Sequence, residues 1–183
     1  KSNFPKSKQT PIGAELGANG DGTIPEWTGG LIRPPTGYSE GSYHIDPFQD
    51  DEIKFTISER NLNDHGAKLT ALQKALLTKY PEEFVINVFP TRRSCAYPEF
   101  IYEATAKNAK NAKVIDQGYG FSGASAGFPF PQPKNAFEVL FNHETRYFGL
   151  NYSAKISGGT MNPDGTFTRI VRRDRRLALY HQS

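Results

Sequence analysis

The sequence predicts a mixed α+β protein with antiparallel strands, and three observations support this. Aromatic residues make up 13% of the 183 residues, mostly Phe and Tyr. The 17 Gly and 13 Pro residues favour turns and irregular segments over a helical bundle. Apolar residues alternate with a period of two in some segments and recur at helical spacing in others. The length suits one domain with a hydrophobic core and is too short for two.

Composition excludes several classes of protein. The longest uncharged apolar runs, such as 84–86 and 177–179, are too short to cross a bilayer. Cys95 is the single cysteine, which excludes an internal disulfide, and we expect it to be buried and inert. The net charge of +3 is too small to indicate a nucleic-acid partner. The first residue is Lys rather than Met, which suggests a processed or trimmed start; such a start permits export, with a signal peptide in the precursor, but does not show it.

Residues 1–50 are predicted to form an extended N-terminal arm, and 51–183 the body. The arm is rich in Gly and Pro and shows no sustained period. Ordering a backbone costs about 1–2 kcal/mol per residue, so the arm requires apolar anchors that fit grooves on the body. The candidate anchors are Ile12, Ile24, Trp27 and Leu31.

The body begins with a strand followed by two short helices. Apolar and polar residues alternate over 53–57, which is typical of a half-buried strand. Ser58 can cap a helix that runs to about Leu69. Thr70 can cap a second helix, which Pro81 would end.

The next predicted elements are a buried strand and a longer helix. Residues 84–89 are apolar except for one position, and Pro90 ends this strand. Pro98 suits the first position of a helix that runs to about Lys113.

A loop-like region precedes the third helix. Residues 118–127 contain four glycines, which is typical of a loop. The alternating prolines after them favour an extended segment that exposes Phe128 and Phe130. The third helix is predicted over 135–147.

The remainder predicts antiparallel strands over 152–157 and 166–174, joined by a turn at 162–165, and then a strand over 177–181. Residues 19–23 superficially resemble a calcium loop but lack the terminal Glu, so we expect a turn there.

His143 and Glu144 form the most enzyme-like pair, because a His beside a carboxylate can act as a general base. Adjacent helical residues diverge by about 100°, however, so the two side chains do not share a face. A hydrolase using this pair is therefore an unfavoured alternative, and the sequence predicts no enzyme, no cofactor and no metal site.

Five arginines lie close together in the last predicted strands. Alternation would place Arg173 on one face and Arg172 and Asp174 on the other. A solvated edge or an ion-pair ladder is the simplest interpretation, and contact with anionic lipid headgroups or an acidic partner is the alternative. The arginines are Arg169, Arg172, Arg173, Arg175 and Arg176.

Several separate stretches carry a family resemblance. They read TPIGAE (10–15), DGTIPEWTGG (21–30), DPF (46–48), KYP (79–81), FPTRR (89–93), NA (108–109), PFPQP (129–133) and NHETRY (142–147). Together they resemble the bacterial family known as domain of unknown function 1329, whose members are often labelled outer-membrane lipoprotein-sorting proteins. The resemblance covers nearly the whole chain.

The resemblance implies an exported protein of Gram-negative bacteria, in the periplasm or associated with the outer membrane. It implies a lipoprotein-carrier-like half-barrel, in which a curved antiparallel sheet wraps around about three helices on its concave face. Family members are usually longer, so this chain is expected to be an incomplete N-terminal part. Residues expected to line an apolar cavity are Phe84, Ile86, Val88, Phe100, Ile101, Phe137, Leu140 and Phe141.

The leading functional hypothesis is a non-catalytic carrier or accessory protein of an envelope transport system that binds a lipid or acyl chain. The alternative is a docking or assembly protein for a membrane transporter or outer-membrane partner. Peripheral membrane contact is compatible with both, and no nucleic-acid partner is expected. The candidate partner-binding residues are Trp27, Phe128, Phe130, Arg172 and Arg173.

Overall fold

The computed structural model describes residues 8–182, which divide into two compact units. One unit is Gly17–Cys95, and the other combines residues 8–16 with 96–182. The predicted arm is thus divided between the units, and its residues 1–7 lie outside the described residues. Between residues 8 and 50 the chain holds turns and bends, with an isolated bridge between Gln9 and Glu15. The boundary proposed at residue 50 stays a prediction.

The unit Gly17–Cys95 contains a short antiparallel pair and two α-helices. Strand β1 (Phe55–Ile57) pairs with β2 (Ile86–Val88), and Thr56 lies opposite Asn87. Helices α1 (Leu62–His65) and α2 (Ala71–Lys79) lie between the strands in sequence, and 3-10 turns flank α1. The predicted helix over 58–69 is thus divided into shorter pieces.

Helix α2 is capped by Thr70, as the sequence predicts, and the structure shows that Gln73 completes a capping box. The backbone N–H of Gln73 donates to Oγ1 of Thr70 at 3.3 Å, and the backbone N–H of Thr70 donates to Oε1 of Gln73 at 2.9 Å. These bonds satisfy two donors at the helix start that have no partner within the helix. Leu77 is the fully buried side chain of this helix and fixes its inner face.

Trp27 anchors the irregular part of the same unit. Its indole is buried, and Nε1 donates to the carbonyl oxygen of Cys95 at 3.0 Å. Gly30 has a φ of +71°, and a Cβ there would lie 2.3 Å from the same carbonyl oxygen. Glycine is therefore required where the two segments meet.

The second unit contains two helices and two antiparallel hairpins. Strand β3 pairs with β4, and β5 pairs with β6, each as a two-stranded sheet. In chain order the elements are α3 (Glu99–Asn111), β3 (Lys113–Ile115), β4 (Gly120–Ser122), α4 (Ala136–Glu144), β5 (Asn151–Met161) and β6 (Phe167–Leu177).

The β3–β4 hairpin was not expected, because its turn is unusual. Asp116 and Gln117 both have positive φ, a conformation that the sequence does not signal. Helix α3 ends at Asn111, two residues before the predicted end, and the backbone of Gly123 lies against that of Asn111, where a Cβ on Gly123 would be 2.2 Å from the carbonyl oxygen. The hairpin therefore occupies part of the predicted loop.

The final segment also differs from the prediction. Strand β6 continues to Leu177, and a 3-10 turn at Leu179–His181 replaces the strand expected over 177–181. The backbone of Ala126 accounts for this turn, because its N–H donates to the carbonyl oxygen of Tyr180 at 2.8 Å and its carbonyl accepts from the Tyr180 hydroxyl at 2.9 Å.

An aromatic cluster forms the core of the second unit. The ring centroid of Phe121 lies 5.0 Å from that of Phe141, 6.1 Å from that of Phe130 and 5.8 Å from that of Tyr180. Distances in this range suit tilted and edge-to-face packing. Ile101 of α3 is fully buried in the same unit. Burial raises the pKa of Tyr180 to about 12.

Polar side chains of α3 hold the loop that carries Phe128. Nδ2 of Asn108 donates to the carbonyl oxygens of Ala126 and Phe128 at 2.7 and 3.2 Å, and its Oδ1 accepts from the backbone of Ser125 at 3.3 Å. Oγ1 of Thr105 accepts from the backbone of Phe128 at 3.0 Å. Side chains thus replace the strand pairing that prolines forbid in this segment.

Two turns with the pattern Asn-x-Asp-Gly-Thr have the same hydrogen bonds. Oδ1 of Asp21 accepts from the backbone and hydroxyl of Thr23 at 3.0 and 2.6 Å. Oδ1 of Asp164 accepts from the backbone and hydroxyl of Thr166 at 2.9 and 2.7 Å. These bonds lower the pKa of both aspartates. The turn expected at 19–23 is confirmed, as is the turn between β5 and β6.

The fold class is confirmed at the level of mixed helices and antiparallel sheets. Within residues 8–182, no helix reaches the length and apolar character that spanning a bilayer demands.

Candidate binding surfaces

The residues expected to line an apolar cavity are divided between the two units. Phe84, Ile86 and Val88 belong to Gly17–Cys95 and are half-buried. Ile86 lies opposite buried Ile57 in the β1–β2 pair. Ile86 and Val88 therefore contribute to the small sheet of their own unit, and Phe84 lies two residues before its strand.

The other five expected cavity residues lie in the second unit, in different surroundings. Ile101 and Phe141 are buried as core side chains. Phe137 lies against Gly118, where a Cβ would come within 2.5 Å of its ring. Leu140 is 49% exposed, and Phe100 contacts Tyr147 edge to face at 5.7 Å. The set is thus partly core and partly surface.

A cleft of about 220 Å³ lies beside α3 in the second unit. His181 at its wall is 94% buried, since only 6% of it is exposed, and its Nδ1 has no hydrogen-bond partner among the described residues. Burial lowers the pKa of His181. The cleft is smaller than most sites for drug-sized ligands, which measure about 300–1,000 Å³. Its lining residues are Phe100, Glu103, Ala104, Lys107, Asn108, Ser125, Ala126 and His181.

The aromatic residues proposed for partner binding are largely internal. Trp27 and Phe130 are buried, and Phe128 is half-buried beside Tyr97 at 5.5 Å between ring centroids. Asn142 explains why Phe130 is not displayed, because its side chain exchanges two hydrogen bonds with the Phe130 backbone at 2.9 and 2.6 Å. A partner could reach these two buried rings only after local opening.

His143 and Glu144 lie exposed at the end of α4. Neither side chain has a hydrogen bond or ion pair within residues 8–182. His143 and Glu144 thus have no side-chain partner among these residues that would orient either of them. Cys95 is also exposed, contrary to expectation, and its carbonyl oxygen accepts the hydrogen bond from Trp27.

The β5–β6 pair forms a ribbon that is exposed on both faces. Each strand has 11 residues, and all but Ala154 and Asp174 are exposed. Those two half-buried residues lie opposite each other. Ile170 is 63% exposed, which is unusual for a large aliphatic side chain in a sheet.

The register assigns every ribbon side chain to one of two faces. Lys155 lies opposite Arg173, and Ile156 lies opposite Arg172. We call the face that carries Lys155 the basic face and the other the opposite face. The basic face consists of Asn151, Ser153, Lys155, Ser157, Gly159, Met161, Phe167, Arg169, Val171, Arg173, Arg175 and Leu177, and the opposite face of the remaining ribbon residues.

The two proposed arginines therefore differ in their surroundings. Arg172 lies on the opposite face, where its Nε is 3.2 Å from Oδ1 of Asp174. Arg173 lies on the basic face, where no acidic side chain is present. Sequence reasoning did not single out Lys155, although counting back from the turn at 162–165 would have placed it beside Arg173.

Comparison with known protein families shows the family to which this chain is related. The family described as "Protein of unknown function (DUF1329)" matches residues 56–183. The chain belongs to this family. The DUF1329 match begins within β1 and includes the whole β5–β6 ribbon. The family resemblance predicted from the sequence is therefore confirmed.

A curated relative extends the similarity toward the N-terminus. It is named "Uncharacterized protein PA3922" and comes from Pseudomonas aeruginosa. The two are 33% identical over 165 residues, which cover 90% of this chain and 36% of the relative. The chain thus spans about a third of the relative's length. No solved structure matches the chain.

The described part of this DUF1329 chain offers no cluster of three or more His, Cys, Asp and Glu side chains that could hold a metal ion. The features that distinguish its surface are apolar and cationic side chains.

Proposed function

We propose that this chain belongs to a non-catalytic carrier or accessory protein of the bacterial envelope that binds an acyl chain or a similar hydrophobe. The observation that carries this proposal is the exposure of large apolar side chains in the second unit. Leu140 and Phe137 of α4 and Ile156 and Ile170 of the opposite face are all exposed. Exposed apolar side chains in such numbers are typical of ligand or partner surfaces.

The proposed fold for the whole protein is a half-barrel like that of the lipoprotein carriers. In this arrangement, further strands would extend the β5–β6 ribbon, and an acyl chain would lie against its opposite face. Two strands alone are at best marginally stable in water, so a ribbon of this length requires additional cover. Its location would be the periplasm or the periplasmic side of the outer membrane.

Native mass spectrometry of the full chain tests the proposal, together with titration of a fluorescent fatty acid. We expect co-purified lipid and saturable probe binding. The double variant Leu140→Asn with Ile170→Asn should weaken probe binding by about thirtyfold or more, because two apolar contacts of about 1–2 kcal/mol each are lost.

Ile32→Asn is the matched control, because Ile32 is 81% exposed but belongs to the other unit. It should bind the probe as the parent chain does. Absence of bound lipid and of saturable probe binding would reject acyl-chain binding. Equal losses in the double variant and in the control would reject the assigned surface.

A docking role is the second candidate, and the edges of the ribbon favour it. Within the described residues, β5 and β6 pair only with each other, so the outer edge of each strand has unpaired backbone groups. Such edges accept a strand from a partner protein. A photo-crosslinking residue at Thr160 in living cells should give a defined adduct that the same residue at Ile32 does not. Identical adduct patterns at both positions would contradict this role.

A further inference from the structure

The basic face concentrates positive charge. It carries four cationic side chains and no acidic residue, whereas the formal net charge of the whole chain is +3. Directly opposite like charges destabilise a strand pair, and this face contains one such pair. The four residues are Lys155, Arg169, Arg173 and Arg175, of which the first and third are opposite each other.

No counter-charge for these residues is found in the described chain. None of the four forms an ion pair within residues 8–182. Arg169 donates from Nε to the Ser157 hydroxyl at 2.7 Å, which is a neutral partner on the same face. The charges of Lys155, Arg173 and Arg175 therefore repel one another until an external anion approaches.

Apolar side chains accompany the cations on the same face. Val171 and Leu177 lie on either side of the Arg173 and Arg175 positions along β6. Met161 and Phe167 form the last pair at the tip, and all four apolar side chains are exposed. The Phe167 ring covers Gly159, where a Cβ would lie 2.4 Å from the ring. Apolar groups thus occur at both ends of a face about 33 Å long.

We infer that the basic face docks the protein on an anionic lipid bilayer. A bilayer surface offers negative headgroups together with accessible acyl carbon, which is the combination that this face complements. The aliphatic stems of Lys and Arg can lie along the apolar layer while their charges remain at the headgroups. An acidic protein surface would also satisfy the cations, but it would need apolar groups matched to Leu177 at one end and to Met161 and Phe167 at the other, whereas a bilayer offers acyl carbon along the whole face.

Vesicle co-sedimentation of the full chain tests this inference. The probes are phosphatidylcholine vesicles with about one third phosphatidylglycerol and vesicles of phosphatidylcholine alone. Each Lys or Arg near an anionic surface strengthens binding about fivefold, so Arg173→Gln with Arg175→Gln should weaken binding by about thirtyfold. Binding should also weaken as salt is added, because exposed charges are screened.

The matched control removes the same charge from the other side of the same strand. Arg172→Gln with Arg176→Gln lies on the opposite face and should weaken binding several-fold less than the basic-face variant. Circular dichroism would verify that both variants keep the parent fold. Phe167→Ser tests the apolar component and should weaken binding at high salt, where the charge contribution is screened.

Three results would overturn the inference. The first is equal binding to both kinds of vesicle, and the second is an equal loss in the two double variants, which would indicate a net-charge effect only. The third is binding to poly-glutamate without binding to anionic vesicles, which would identify an acidic protein as the partner. Vesicle binding without acyl-probe binding would support this inference and reject the proposed carrier function, so the two outcomes are distinguishable.

Discussion

The aromatic core and the β5–β6 ribbon belong to the same compact unit but bury their side chains very differently. Phe130 and Phe141 are each no more than 8% exposed, whereas the ribbon leaves nearly every side chain exposed. The core is held by ring packing and by amide hydrogen bonds from buried Asn108 and half-buried Asn142. The difference indicates that the core stabilises this unit, and it leaves the ribbon side chains available for the contacts proposed above.

The largest expected effect comes from opening the core. Phe141→Ala removes a ring that packs against Phe121 and Phe130, and it should lower the free energy of unfolding by about 3–5 kcal/mol. Chemical denaturation followed by circular dichroism measures this change. A loss below about 1 kcal/mol would mean that the cluster is not the core.

A smaller effect is expected from the buried amide. Asn108→Ala leaves the carbonyl of Ala126 and the backbone N–H of Ser125 without this partner, and it should cost about 2–3 kcal/mol. Lys107→Ala, at an exposed position on the same helix, is the control and should stay within about 0.5 kcal/mol. Equal stability of the two variants would contradict the clamping role of Asn108.

Buried His181 makes the stability of the folded chain depend on pH. Burial lowers its pKa below the ordinary value of 6.5, so the unfolded chain takes up a proton first as the pH falls. Its contribution to stability is therefore fully present above pH 6.5 and is lost as the pH falls through the folded pKa. Thermal unfolding at pH 7.5 and pH 5 should show a larger loss for the parent chain than for His181→Gln. Identical losses would indicate that His181 is not buried in solution.

The smallest expected effect is on the ribbon. Ile170→Ser should change the free energy of unfolding by less than about 0.5 kcal/mol, because this exposed side chain has little packing to lose. The same change made in the presence of saturating acyl ligand should cost more than in its absence. A large loss in the free chain would show that another segment covers this face.

Much of this fold was predictable because its signals are local. The Thr70 cap with Gln73, and the strands that flank the turn at Asp164, follow from short-range hydrogen bonding and periodicity. The turn at Asp116 and Gln117 was not predictable, because neither residue type signals two successive positive φ values. The ring of Phe137, which is distant in sequence, lies against Gly118 beside this turn.

The candidate surfaces were less predictable than the elements. Period and apolar character are the same for Ile101, which is fully buried, and for Leu140, which is half-exposed, so sequence could not separate core from surface. Alternation did place Arg172 and Arg173 on different faces. To place Lys155 opposite Arg173, the pairing register of β5 with β6 across the turn also has to be known.

The turn at residues 162–166 has a consequence for the order of folding. Asp164 and Thr166 close it with contacts only two residues apart, and the first ribbon pair, Met161 with Phe167, follows directly from it. Hairpins of this kind form within about 1–10 μs, long before distant segments meet. A strand that pairs later with β5 or β6, from the same chain or from another, would therefore add to a hairpin whose register is already set by the five residues of this turn.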